Sequence, residues 1–331
     1  MKILIIGAGR MGIRHAQGIK NVDKLVSAIV ADIKAESLQN AKQQINDPRF
    51  DYCLLENIKE QDFDICIIAA TAAGRTDLLQ VAQKLRCKNI LVEKPLGQSM
   101  TQVNELESYV VENGLSCFVN LNMRLYDSFI KLKSDLQTLP QLQGNKTITV
   151  NTGSLGIGAN GIHYLDLLYF LLDADKAVLV AAEVDEQLIP SGRGPQFGDF
   201  GGWAVMKFYK NEIFLGKALL SMSATSTVFG SWEIVAPHGR IYFNEVEERR
   251  VDTFRKEDSQ MPINRYFSDY LPPVESKIVS PFLGDLTAKW VIGLLNGESL
   301  LPRIGESVKV HQLLFDWLGK SKTHNNIFPI T

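Results

Sequence analysis

Over the first 121 residues, apolar positions come in short unbroken runs separated by amphipathic stretches. The runs are Lys2–Ile6, 25–31, 64–70, Asn89–Val92 and 116–121, with a weaker one at 52–55. Between them lie helical patterns at 13–20, Ala35–Ile45, 76–85 and 101–113. Leu38, Ala41 and Ile45 form one apolar stripe, Asp47-Pro48 ends that helix, and Gly114 stops the last one. Continuous rather than alternating apolar strands, each followed by a helix, predict a parallel sheet covered on both faces: an α/β, doubly wound domain.

The pattern changes after residue 122. Leu125, Phe129, Leu132 and Leu136 mark a linking helix that ends near Pro140. A strand at 147–151 and a helix at Ile162–Leu172 follow. Long strand-like runs come next, at 177–185, 203–209, Ile213–Ser223, Ser231–Ala236 and 241–244, with turn signals such as Lys210-Asn211 and His238-Gly239 between them. Short turns between neighbouring strands indicate antiparallel pairing. Helices at about 280–295 and 305–318 close the chain. The expected organisation is a doubly wound domain over 1–122 and an α+β domain over 123–331, built on a large, mainly antiparallel sheet. Too few helices follow the strands to cover both faces of that sheet, so a homodimer or homotetramer is expected. Residues 190–202 hold five glycines and two prolines in 13 positions and read as a loop. No repeat or low-complexity segment is present.

Composition narrows the class. The chain has 331 residues, 45% apolar and 22% charged, with a formal net charge of −2. Such a balance argues against a nucleic-acid surface. No apolar run approaches the roughly 18 residues of a membrane span. Met1 leads directly into the first strand, leaving no room for a signal peptide, so a cytoplasmic protein is expected. Cys53, Cys66, Cys87 and Cys117 stand singly, without a Cys-x-x-Cys pair. Reduced, mostly buried thiols are the simplest reading, and no metal site is expected.

The chemistry begins at the first turn. Gly7-Ala8-Gly9-Arg10-Met11-Gly12 follows the first strand and opens the first helix, and Asp32 ends the second strand twenty residues later. Strand, glycine turn, helix, strand and acid form the complete dinucleotide-binding pattern of a Rossmann domain. Gly7 allows the tight turn, Gly9 lets a pyrophosphate approach the backbone, and Gly12 lets the helix pack against the strand. The helix N-terminus offers N–H groups and a positive dipole end to the phosphates. Asp32 suits the adenosine ribose diol and repels a 2′-phosphate, so NAD is the expected cofactor, although Lys34 nearby could meet such a phosphate.

Glu93-Lys94-Pro95 ends the strand Asn89–Val92. In open α/β sheets ligands bind outside the carboxyl ends of the strands, so Lys94 faces the nicotinamide side and could exchange a proton. The bland alternative is a surface lysine after a strand. In Gly161-Ile162-His163-Tyr164-Leu165-Asp166, His163 and Asp166 share a helix face at i, i+3, where the acid could fix the imidazole tautomer. The bland alternative is a helix N-terminal histidine satisfied by solvent or backbone. Asn160 reads first as the N-cap of that helix, and His15 as a plain residue of the first helix.

Together the glycine turn, Asp32, Glu93-Lys94-Pro95 and Gly161 to Asp166 resemble the Gfo/Idh/MocA oxidoreductase family, in order and spacing, over about residues 1–320. Leu301-Pro302-Arg303 and the helix carrying His311 look like that family's C-terminal end. The resemblance implies that Lys94 and His163 are catalytic at a sugar carbon that exchanges hydride, and that the Lys94–Pro95 bond is cis. The expected cofactor-binding set is Gly7, Gly9, Arg10, Met11, Gly12, Asp32, Ile33, Thr71, Glu93, Lys94 and Asn122. The expected substrate set is Lys94, Arg124, Asn160 and His163, with the 190–202 loop a weaker candidate. Two departures stand out. Thr71-Ala72-Ala73-Gly74-Arg75-Thr76 replaces the family's Thr-Pro-Asn-x-x-His, and Ala159 stands where many members carry an acid, four residues before the histidine. The stretch from Leu155 to His163, with Asn120-Leu121-Asn122-Met123-Arg124, is similar to members associated with surface-glycan synthesis. The implied activity is an NAD-dependent dehydrogenase acting on a CH–OH group of a sugar or nucleotide-sugar. The rivals are an NAD-dependent glycosidase of the same fold and a non-catalytic NAD-binding regulator.

Overall fold

The computed structural model describes residues 1–59, 61–153, 156–191, 194, 196–260, 262, 269–321 and 327–331. Leu155 of the glycan-type stretch, and Gly192, Arg193 and Pro195 of the candidate substrate loop, lie outside the described residues. The chain divides into two compact units. One comprises 1–125, 281–311 and 331, and the other 126–280 and 312–330. Residues 281–311, grouped with the second domain in the sequence reading, thus lie in the first unit.

The first unit runs β1 (Lys2–Ile6), α1 (Arg10–Ile19), β2 (Ser27–Asp32), α2 (Ala35–Ile45), β3 (Phe50–Leu54), β4 (Ile65–Ile68), α3 (Arg75–Lys84), β5 (Asn89–Val92), α4 (Met100–Glu112) and β6 (Cys117–Val119). Its six strands are all parallel, in the order β3-β2-β1-β4-β5-β6. Both faces are covered, as the unbroken apolar runs require: Ile3, Leu4, Ile5, Cys66, Ile67 and Ile68 have no exposed surface. The order reverses between β1 and β4, which opens a crevice at their carboxyl ends.

The second unit begins with α5 (Asp127–Thr138), β7 (Lys146–Gly153), one π-helical turn (Ile157–Gly161) and α6 (Ile162–Leu172). It continues through β8 (Lys176–Val184), β9 (Ile189–Pro190), β10 (Gly198–Asp199), β11 (Gly202–Lys210), β12 (Ile213–Ser223), β13 (Ser231–Ala236), β14 (Gly239–Asn244), β15 (Arg249–Phe254) and β16 (Val274–Lys277). Then α7 (Leu283–Leu295) belongs to the first unit, while α8 (Ile304–Leu318) has residues in both. The eight-stranded sheet has the order β16-β15-β14-β13-β7-β12-β11-β8, antiparallel except between β7 and β12. Two-residue periodicity sends Trp232, Ile234, Ile241 and Phe243 inward. There the Phe129 ring of α5 stacks on Phe243 at 5.1 Å and meets Trp232 at 5.6 Å. Val178, Val180, Trp203 and Val235 of the same sheet are exposed. β15 and the fully exposed β16 escape the sequence reading because their residues, such as Arg249-Arg250 and Glu275-Ser276, carry no apolar period. All four cysteines are free. Among the described residues, no helix is long and apolar enough to cross a membrane, and no cluster is suited to a metal.

Candidate functional site

The glycine turn joins β1 to α1. Gly7 has φ +107°, and a Cβ there would stand 2.7 Å from the carbonyl oxygen of Ala69. A Cβ on Gly12 would lie 1.8 Å from the carbonyl oxygen of Gly7, so only glycine fits where helix meets strand. Gly9 differs from both, because a Cβ there would meet no protein atom within 4 Å. The chain itself imposes no steric demand for glycine there, and the open space would let a pyrophosphate approach the backbone. Gly9 also stands at the N-cap of α1, which has no side-chain cap and no acid in its first turn. A helix start left open in this way suits an anion, with the N–H groups of Arg10, Met11 and Gly12 turned to it.

Asp32 ends β2 and ties itself to that turn. Its Oδ2 accepts from the Ala8 N–H at 2.7 Å, and its Oδ1 accepts from the Lys34 N–H at 2.9 Å. The carboxylate is held by backbone and keeps lone pairs for a diol. Ile33 beside it is 76% exposed, a large apolar surface suited to a flat base. Thr71 is exposed after β4, Asn122 is buried, and Arg124 is half-buried. The residues of the first unit thus fit NAD at the turn, the acid and the strand ends.

Lys94 follows β5, is buried, and precedes Pro95 through a cis bond, as the resemblance implies. The segment around it is fixed from several directions. Arg75 donates to the carbonyls of Pro95 and of Ala70, the latter at 3.0 Å. The Leu96 N–H donates to Nε2 of His311 at 2.9 Å, while Nδ1 of His311 donates to the Ser307 carbonyl at 2.8 Å. This pair of bonds sets the tautomer, and complete burial lowers the imidazole to about 4, keeping it neutral.

Glu93 is the buried hub. Nε2 of His15 donates to its Oε1 at 2.9 Å, Asn120 Nδ2 donates to the same atom at 2.7 Å, and His15 Nδ1 meets Thr287 Oγ1 at 2.8 Å. Burial alone would raise this carboxyl. The His15 hydrogen bond, the charges of His15 and Lys94, and the Asn120 hydrogen bond outweigh burial and hold it at about 2. His15 is therefore more than a plain helix residue, and Glu93 supports Lys94 from inside the protein.

In the second unit, α6 is buried along its whole length, with His163 at 9% exposure and Asp166 at 1%. Its start corrects the expected cap. The π turn Ile157–Gly161 runs into α6, so Asn160 lies inside a helical turn and does not N-cap. Asp199 of β10 does the capping. Its Oδ1 accepts from the N–H groups of Gly158 and Phe200 at 2.8 Å each, and its Oδ2 accepts from Ala159 at 2.7 Å. Gly156, at φ +77°, allows this approach, since a Cβ there would stand 2.6 Å from the Asp199 carboxyl carbon. A carboxylate thus does reach position 159, from forty residues away and through the backbone. Sequence reasoning missed Asp199 because only its place in a glycine-rich loop marked it.

The same helix carries Tyr164, whose hydroxyl lies 3.1 Å from Thr152 Oγ1 and donates to Glu245 Oε1 at 3.3 Å. Trp232 Nε1 donates to that oxygen at 2.9 Å. Burial raises the Glu245 carboxyl to about 7 against these two hydrogen bonds. Lys94 belongs to the first unit, and Asn160 and His163 belong to the second.

Comparison with known proteins bears on the first domain and on the fold. Residues 1–121 match the Gfo/Idh/MocA family model, described as an oxidoreductase family with an NAD-binding Rossmann fold. The myo-inositol 2-dehydrogenase of Thermotoga maritima is 23% identical over 137 residues, 41% of each chain. The chain spans about two fifths of the length of the curated relatives it matches. Among solved structures, a UDP-N-acetylglucosamine 3-dehydrogenase from Acidithiobacillus ferrooxidans is similar over 97% of both chains, with a TM-score of 0.69 at 15% identity. A super-repressor mutant of Gal80p from Saccharomyces cerevisiae is similar over 97% of this chain and 95% of its own, with a TM-score of 0.73 at 12% identity. At such identities the structural likeness is one of fold, and the two proteins differ in role. Residues 1–121 therefore match an NAD-binding Rossmann domain of the Gfo/Idh/MocA oxidoreductase type, and the rest of the chain shares only its fold with these proteins.

Proposed function

We propose that this protein is an NAD-dependent dehydrogenase acting on a CH–OH group of a sugar or nucleotide-linked sugar. NAD, when bound, supplies or accepts the hydride. The observation that carries the reading is the setting of Lys94: a buried lysine at a strand end whose flanking residues are each fixed, Glu93 by His15 and Asn120, Pro95 by Arg75 and Leu96 by His311. Rigid placement of a proton-exchanging group by its supporting shell is what general acid–base catalysis requires. In this reading Lys94 Nζ exchanges the proton of the reacting hydroxyl. His163 holds or relays it, oriented on α6 by the Asp199 cap. Arg124 and Asn160 contact the substrate. Gly7 to Gly12 cradle the pyrophosphate, with Asp32 on the adenosine ribose and Ile33 against the base.

Ala159, in place of the acid, favours one second reading: an NAD-binding regulator without turnover. A substrate screen that follows NADH absorbance over nucleotide sugars, free sugars and cyclitols separates the two. The dehydrogenase reading expects NADH to accumulate with a member of these classes. Silence across the panel with intact NADH binding would favour the regulator. The exposed apolar positions Val178, Val180, Trp203 and Val235 support a homo-oligomer, which light scattering should report as a multiple of the 37.0 kDa chain.

A further inference from the structure

The second unit buries two arginines close together in sequence and treats them differently. Arg250 of β15 is 3% exposed, and its Nε and Nη2 donate to Asp252 at 2.8 and 2.9 Å. Its Nη2 also lies 2.7 Å from Asp135. Two carboxylates meet one buried charge, the usual condition for keeping a cation inside a protein. Arg255, just beyond β15, is 6% exposed. Its side chain donates to Ser259 Oγ at 3.1 Å, a neutral acceptor, and no carboxylate among the described residues comes within the 4.0 Å of an ion pair. The nearby Glu257 instead accepts from Gln141 Nε2 at 3.0 Å. A guanidinium has five N–H donors in a planar fork, so most of this one's capacity is unspent.

Beside Arg255 lies a cavity of about 580 Å³, lined also by Gln141, His238, Lys256, Glu257 and Ser259. Among the described lining residues, the cationic Arg255 and Lys256, with His238, accompany one acid, Glu257. The backbone carrying Arg255 is fixed, because its N–H donates to the His238 carbonyl at 2.9 Å and it bridges to Tyr270. None of these residues belongs to the set proposed above for hydride transfer. No nitrogen of Arg255 is both sealed from solvent and without a partner, so its unspent donors stay accessible to an anion that enters the cavity.

We propose that this cavity is an oxyanion-binding site for a small phosphate-bearing metabolite, with Arg255 as its anchor. A phosphate group matches the bidentate fork of a guanidinium. The cavity is far larger than one ion and falls in the range of about 300–1,000 Å³ that small organic ligands occupy. The phosphate is therefore carried on an organic body of roughly monosaccharide size. Lys256 supplies a second, more exposed charge at the mouth.

The test is calorimetric titration of the full chain, saturated with NADH, using inorganic phosphate and glucose 6-phosphate as probes. Both should bind, the sugar phosphate at least tenfold more tightly, and Arg255→Gln should weaken both at least tenfold with NADH affinity unchanged. Equal affinity for the two probes would overturn the metabolite assignment. No binding, or binding indifferent to Arg255→Gln, would overturn the site. Thermal melts guard against a folding artefact. Without phosphate, Arg255→Met should melt close to the wild-type temperature, because it breaks no ion pair, whereas Arg250→Met, which breaks two, should melt lower. Phosphate should raise the melting temperature of the wild type and leave that of Arg255→Met unmoved. Equal destabilisation by Arg255→Met and Arg250→Met would make Arg255 a structural residue and end the proposal.

Discussion

Each unit buries a glutamate, Glu93 next to Lys94 and Glu245 against Tyr164 and Trp232, and the two carboxyls move in opposite directions. Glu93 in the first unit is held at about 2, and Glu245 in the second is raised to about 7. Both are desolvated. Glu93 meets the charges of His15 and Lys94 as well as the neutral donor Asn120, while Glu245, among the described residues, meets the neutral donors Trp232 and Tyr164. Burial decides the outcome where no cation answers it. The first unit therefore carries a fixed negative charge under Lys94, and the second carries a group able to gain or lose a proton near neutrality.

The first way to sharpen this contrast uses glycines. Gly12→Ala places a methyl 1.8 Å from a backbone carbonyl, which cannot rotate away. NADH affinity should fall by more than about 10²-fold, roughly 3 kcal/mol, with a lower melting temperature. Gly158→Ala in the second unit meets Cγ2 and Cβ of the buried Ile330 at 2.4 and 2.6 Å, so it too should lower the melting temperature, but it should leave NADH binding unchanged. Fluorescence titration of both variants checks the pair, and equal losses would refute the division of labour.

The second prediction tests Asp199. Removing a cap that satisfies three N–H groups costs about 1–2 kcal/mol of stability. Asp199→Ala should lower kcat by roughly tenfold through displacement of His163 and leave NADH affinity unchanged. Asp199→Asn, which keeps one acceptor oxygen, should recover part of the rate. Variants that lost stability but kept the wild-type kcat would show the cap to be structural alone.

Asp32 predicts a smaller effect. NADH should bind at least tenfold more tightly than NADPH, about 1.4 kcal/mol, and Asp32→Ala should narrow the gap. Because Asp32 also holds the N–H groups of Ala8 and Lys34, part of the NADH loss would come from a loosened turn. Equal affinities in the wild type, measured by calorimetry, would exclude the assigned role.

The smallest expected effect is on pH dependence. His311, lowered from 6.5 to about 4, destabilises the fold as pH falls through 6.5 toward 4, because the unfolded chain then binds more protons. Glu245, raised from 4.5 to about 7, acts in the opposite sense, since stability is lost as pH rises from 4.5 toward 7. Glu93, lowered from 4.5 to about 2, adds a loss only as pH falls below 4.5. The first two slopes oppose each other between about 4.5 and 6.5, so urea melts should show little change there. Glu245→Gln should uncover stability that rises with pH across that window. A flat profile in this variant would contradict the assignment.

The residues expected to touch a ligand were legible because backbone chemistry compresses them into short motifs. Gly7 and Gly12 are dictated by one turn, Gly9 is read from their spacing, Asp32 from one strand length, and Lys94 from its strand end. Residues that hold those groups in place were not legible. His15, Arg75, Thr287 and His311 converge on the Lys94 segment from four parts of the chain, and their spacing obeys no period. Asn160 shows the limit most clearly. Its type and place fit a cap, but Asp199 arrives from β10 and takes that role. The parallel sheet was readable because both faces are apolar. β16 was not, because a wholly exposed edge strand leaves no hydrophobic trace.

The central claim is that Lys94 is a fixed proton-exchanging group above an NAD site, and single-turnover stopped-flow of wild type and Lys94→Ala tests it most directly once a substrate is in hand. The account predicts NADH affinity within a few-fold of wild type and a hydride-transfer rate lower by roughly 10²-fold or more, the range for losing a general acid–base group. A near-native rate in Lys94→Ala would contradict it.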